Sequence, residues 1–138
     1  MKVAFATHDR TTVDAHFASA RTFLLYDVAA DGASFREAVQ FDLVSDEDGR
    51  HDDGDDRLAA KIEALDGCSV LFVRAIGGPA AARVVRARVH PVKLPEPEPI
   101  ASVIERLRVM LSTNPPPWLR KAVRDAGSGP ERFIDDED

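Results

Sequence analysis

Ser69–Ala75 (Ser-Val-Leu-Phe-Val-Arg-Ala) is a nearly continuous apolar run bounded by Gly67 on one side and Gly77-Gly78-Pro79 on the other. It is too short for a free-standing helix and too apolar for a strand with one wet face. It reads as a strand in the middle of a sheet covered on both sides. The residues around it follow a different period. Leu58, Ile62 and Leu65 fall at i, i+4 and i+7, and Gly67 stands where a helix C-cap belongs. After the run, Pro79 sits just inside a helix start, the favoured place for proline. Ala81, Val84 and Val85 then share a face, and His90–Leu94 returns to a short strand. Helices on a covered sheet are therefore expected from this stretch.

The rest of the chain extends that architecture. Lys2–Thr7 reads as a buried first strand, and His8 to Ala20 as a polar, flexible loop long enough to bind a ligand. Thr22–Val28 is a second strand, followed by the turn Ala30-Asp31-Gly32. Phe35, Val39, Phe41 and Leu43 keep odd-position alternation, interrupted at Glu37, which gives a hairpin partner. Ser45 to Asp56 reads as an acidic loop, with helix from Arg57. Ile100, Val103, Ile104, Leu107, Met110 and Leu111 form the apolar face of a long helix. Pro115-Pro116-Pro117 breaks it, and Trp118–Val123 forms a short helix docked through its tryptophan. The element order β-β-β-α-β-α-β-α-α predicts an α/β fold: one mixed sheet with helices on its faces. The expected division is a domain over 1–126 and a disordered acidic tail over 127–138.

Charge is unevenly spread. The net charge is −6, yet residues 46–57 carry seven acids against two arginines, and 131–138 carry five acids against one arginine. The remaining residues hold fifteen bases and twelve acids. Such a body suits an anionic ligand but is no nucleic-acid footprint. Residues 46–56 and the tail from Gly127 lack any apolar period and are expected to be mobile. Met1–Ala6 is apolar but turns polar at Thr7-His8-Asp9, too soon for a signal peptide or a membrane span. The cytoplasm is the expected location. A single cysteine, Cys68, excludes an internal disulfide.

The chain contains no Gly-x-x-x-x-Gly-Lys phosphate loop, no Gly-x-Gly-x-x-Gly, no His-Glu-x-x-His, no Cys-x-x-Cys and no Gly-x-Ser-x-Gly. A calcium loop starting at Asp46 fails at Arg50 and His51. Three features stay open. In Val13-Asp14-Ala15-His16-Phe17, apolar neighbours can anchor the backbone while the imidazole of His16, a good iron ligand, points into a cleft with Asp14 orienting it. The plain alternative is an exposed or capping histidine. Gly77 and Gly78 lie at a strand's carboxyl end and open a helix, where backbone N–H groups attract anions. The alternative is an ordinary tight turn. Cys68 offers a thiol before the buried strand, either an iron ligand or a small core residue.

These residues resemble a known family. Met-Lys-Val-Ala-Phe-Ala-Thr, Val13-Asp14-Ala15-His16-Phe17, Asp-Arg-Leu-Ala-Ala-Lys-Ile-Glu-Ala-Leu, Ala-Ile-Gly-Gly-Pro-Ala-Ala-Ala-Arg-Val-Val and His90-Pro91-Val92-Lys93 together resemble the dinitrogenase iron–molybdenum cofactor-binding domain. The likeness continues through Glu96–Ile100 and Pro115–Ala122 and covers roughly residues 1–125. It implies a ribonuclease H-like layering of mixed sheet and helices. It also implies a carrier, not an enzyme: a protein that binds the iron–sulfur precursor cluster of the iron–molybdenum cofactor and moves it between the maturase NifB and the scaffold NifEN, with no nucleic-acid or membrane partner. On this resemblance His16 matches the family's Asp-x-His-Phe histidine and becomes the expected ligand. Gly77 and Gly78 are expected at the cluster, and Cys68 is a further candidate for the metal. Ala18 departs from the glycine common after His-Phe, which bears on loop shape. Two other readings compete: a metal-dependent ribonuclease H-like enzyme using Asp14 and Asp27, and an interaction module of nitrogenase assembly that binds no cluster.

Overall fold

The computed structural model describes residues 1–41 and 52–126. Its centre is a pair of parallel strands, β1 (Lys2–Thr7) and β5 (Val70–Val73), with Val3 opposite Val70 and Phe5 opposite Phe72. Side chains of a strand alternate between faces, so each of these strands serves two layers. Val3, Phe5, Val70 and Phe72 enter one apolar cluster, while Ala4, Ala6, Leu71 and Val73 enter the other. Two covered faces leave no position for a polar residue, which explains the unbroken apolar run.

β3 (Thr22–Ala29) pairs antiparallel with β1 and forms a hairpin with β4 (Gly32–Gln40), and β6 (His90–Lys93) runs parallel to β5. The sheet order is β4-β3-β1-β5-β6. α1 (Asp52–Ala64) and α2 (Gly78–Arg86) cover one face with Leu58, Ile62, Ala80 and Val84. α3 (Ile100–Ser112) and α4 (Pro117–Ala126) cover the other with Ile100, Val103, Ile104, Leu107, Leu119 and Ala122. Phe5 stacks on Phe72 at 5.5 Å and meets Tyr26 edge-on at 5.7 Å, filling the layer beneath α3. Full burial of each such ring stabilises the fold by about 1.5–3 kcal/mol. The architecture is the expected mixed sheet with helices on its faces.

Four local expectations are corrected. Two strands were not visible in the sequence: β2 (Thr12–Val13) and β7 (Glu98–Pro99), which pair with each other. Two residues are too few to show a period. The odd-position alternation of the second hairpin strand fails because the register slips at Leu25/Tyr26, leaving Arg36 as the extra residue. Phe35 therefore faces Tyr26 on the α3 side, while Val39 joins Phe23 on the other. Glu37 lies opposite Leu25, on the same face as Val39, and is exposed on this edge strand. α1 begins at Asp52 and not at Arg57, a start hidden in the sequence because no apolar period marks its first turn. On α2 the buried pair is Ala80 and Val84, and Val85 is exposed. Of the segments expected to be mobile, 46–51 and 127–138 lie outside the described residues.

Candidate functional site

The loop after β1 is fastened at every stage. Asp9 is its hub: its Oδ1 accepts from the backbone N–H of Thr11 and of Thr12, each at 2.8 Å, and from Thr7 Oγ1 at 3.2 Å. These donors hold the Asp9 carboxyl down to about 2, the Thr11 N–H foremost. Arg10 takes the left-handed conformation at φ 67° within this turn. The N–H of Ile100, at the start of α3, donates to Thr11 O at 2.8 Å, and β2 is pinned by β7. The expected flexibility of the loop is therefore corrected. Short hydrogen bonds to three elements make it a fixed platform.

Its second half runs beside the continuation of β5. Arg74 N–H donates to Ala15 O at 2.9 Å, Phe17 N–H donates to Ala75 O at 2.8 Å, and His16 lies in parallel register with Ala75. Ala15 and Phe17 are fully buried, so the alternation of an extended backbone turns His16 outward, and it is exposed. Two residues beyond Ala75 stands Gly77, the N-cap of α2, with φ −71° and ψ 158°. No side chain caps this helix. Gly77 and Gly78 are exposed, and a Cβ added to either would meet nothing within 4 Å. Neither backbone conformation nor packing inside the protein calls for glycine at Gly77. What the two glycines do is leave bare backbone at a helix N-terminus, on the same sheet end as His16. An uncapped helix start of this kind presents N–H groups to an anion.

Other candidates lie elsewhere. Cys68 precedes β5 at the opposite end of the sheet, 2% exposed, and its N–H donates to Leu65 O at 2.8 Å. Burial pushes its thiol up to about 11. The extended backbone from Cys68 to Ala75 spans about 20 Å, so Cys68 and His16 cannot hold one compact ligand together. His90 opens β6 opposite Val70, also at that far end, with its ring stacked on Trp118 at 4.9 Å. Asp14 does not orient His16: its Oδ1 accepts the N–H of His8 at 2.8 Å. Asp27 pairs in register with Lys2 and makes an ion pair with Arg36 at 2.9 Å. Asp14 and Asp27 thus stand at opposite ends of the sheet and do not converge on a metal. Among the described residues, no three of His, Cys, Asp and Glu are grouped to hold a metal ion.

Lys61 is the residue that sequence reasoning missed. On a helix whose acids and bases look solvated, it is fully buried. Its Nζ donates to Ala18 O at 3.1 Å and lies 4.7 Å from the centre of the Phe41 ring. It thereby ties α1 to the loop just after His16-Phe17. Ala18 itself keeps a negative φ, so the absence of glycine there does not distort the loop.

The family model described as "Dinitrogenase iron-molybdenum cofactor" matches residues 1–109. The chain is 52% identical to Protein NifX of Sinorhizobium fredii (strain NBRC 101917 / NGR234), across 100% of this chain and 87% of that protein. It is 51% identical to Protein NifX of Rhodobacter capsulatus, across 89% of this chain and 77% of that one. The crystal structure of PH0822 shares the fold at a TM-score of 0.60 and 19% identity, over 79% of this chain and 91% of that chain. The chain belongs to the dinitrogenase iron–molybdenum cofactor family.

Proposed function

We propose that this protein serves the biosynthesis of the nitrogenase iron–molybdenum cofactor as a carrier that performs no catalysis. Its cargo is the iron–sulfur precursor cluster, taken from the maturase NifB and delivered to the scaffold NifEN in the cytoplasm. The observation that carries this reading is the presentation of His16. Buried neighbours on both sides and two backbone hydrogen bonds hold it outward, at the sheet end that also bears Gly77 and Gly78. Imidazole binds iron, and the free N–H groups of a helix start favour the cluster's negative charge. A carrier must also release its cargo. One imidazole with backbone electrostatics suits release better than a closed thiolate cage, which fits the distance of Cys68 from this end.

Family membership and the two NifX relatives support the biosynthetic role. No helix among the described residues is long and apolar enough to cross a membrane. The metal-dependent enzyme reading loses its support, because Asp14 and Asp27 do not meet. The test is anaerobic mixing with a cluster-loaded donor, then gel filtration and iron analysis. Iron eluting with this chain is expected; an iron-free chain after mixing removes the carrier reading.

A further inference from the structure

The surface built by α2, β6 and α4 is electrically unlike the rest of the molecule. Residues 67–95 and 115–124 contain Arg74, Arg83, Arg86, Arg88, Lys93, Arg120, Lys121 and Arg124, and no Asp or Glu. These are eight of the chain's eighteen lysines and arginines, set against none of its twenty-four acids. The fold draws them together. α2 packs along β6 on one face of the sheet. α4 docks on the other, where Trp118 stacks on His90 and Lys121 is close enough to act on the imidazole. The ion pairs among the described residues are Arg36–Asp27, Arg106–Glu98 and Arg108–Glu105, and none draws on Arg86, Lys93, Arg120 or Arg124. All four of these side chains are exposed.

Two further observations define what such a face can receive. Val85 of α2 is 57% exposed and Val123 of α4 is 43% exposed, so each basic helix carries an apolar side chain on its wet side. A surface of this composition resembles an interface with apolar anchors inside a charged rim. The open edge of β6 carries Pro91 and Lys93, residues that block strand addition, so an extended peptide adding to the sheet is disfavoured. Nucleic acid is disfavoured because the residues outside the two acidic segments hold an excess of only three positive charges, which is no nucleic-acid footprint. We propose that the α2–β6–α4 face is a docking surface for a folded protein partner that presents an acidic patch. The Trp118–His90 stack lies at the end of the sheet opposite His16, so a partner seated here stands toward the far end from the proposed cargo site. The surface itself is inferred from charge and exposure and does not depend on that site.

The experiment uses the full chain and poly-L-glutamate as a mimic of an acidic protein surface, with duplex DNA and phosphatidylglycerol vesicles in parallel at low salt. Binding of polyglutamate is expected to shift amide resonances in α2, β6 and α4. It should weaken at least ~10-fold in R86E/R120E/R124E, whose far-ultraviolet circular dichroism stays that of the parent. H16A should bind polyglutamate as the parent does. The proposal is overturned if polyglutamate does not bind, if the triple variant binds equally well, or if the shifts fall elsewhere. Tighter binding of DNA or vesicles, or salt-reversible self-association in place of binding, overturns it as well.

Discussion

Lys61 shows how a single residue hides its role. In sequence it stands at i+3 from Leu58, within the stripe of Leu58, Ile62 and Leu65, but its charge reads as that of a solvated side chain. Only the fold brings Ala18 O of the loop and the Phe41 ring, just past β4, to it. Removing a buried donor leaves its acceptor unsatisfied, so Lys61→Ala is expected to cost about 2 kcal/mol in urea unfolding. An unchanged midpoint would show the contact to be idle. In sequence Asp9 reads only as part of a polar loop, although aspartate is a turn former by chemistry. Its carboxyl is held near 2, below the 3.8 of an unfolded chain. Its stabilisation is therefore present above that value and lost as pH falls from 3.8 toward 2. Asp9→Ala should loosen residues 7–12, read as faster amide exchange at Thr11 and Thr12. Cys68 follows the opposite sign. With its pKa raised from 9.0 to about 11, the folded state resists ionisation, so stability should fall as pH climbs between those values. At about pH 8 the native thiol should react with iodoacetamide far more slowly than the unfolded one.

At the scale of elements, the long periodic segments were readable and the contact-made ones were not. β1, β3, β5 and α3 follow from unbroken apolar patterns. β2 and β7 exist only because the loop after β1 lies against the chain before α3. The docking of α4 was legible through Trp118, since the preceding prolines fix its approach and an indole gains from burial. Its partner was not: His90 is on another element. Burial of His90, and then the nearby Lys121, lowers its pKa below the ordinary 6.5. The neutral imidazole thus stabilises the fold above that value, and the contribution is lost as pH falls below it. Tryptophan fluorescence should shift to longer wavelength in this acid range, and His90→Phe should abolish the shift. A shift that persists in the variant would place its origin in another group.

The whole molecule separates two ends of one sheet. The end near Ala75 and Gly77 carries His16 on a fixed loop; the other carries Cys68 and His90. A one-dimensional reading could list all of these residues as candidates, because only the parallel pairing of β1 with β5 decides which of them share an end. The central claim is that cargo binds at the His16 end, and anaerobic titration of H16A and C68A with cluster donor, read by retained iron, tests it most directly. H16A should keep its fold and lose at least ~10-fold in cluster affinity, while C68A, at slightly lower stability, binds as the parent does. Normal binding by H16A together with failure of C68A would contradict the account and move the site to the opposite end of the sheet.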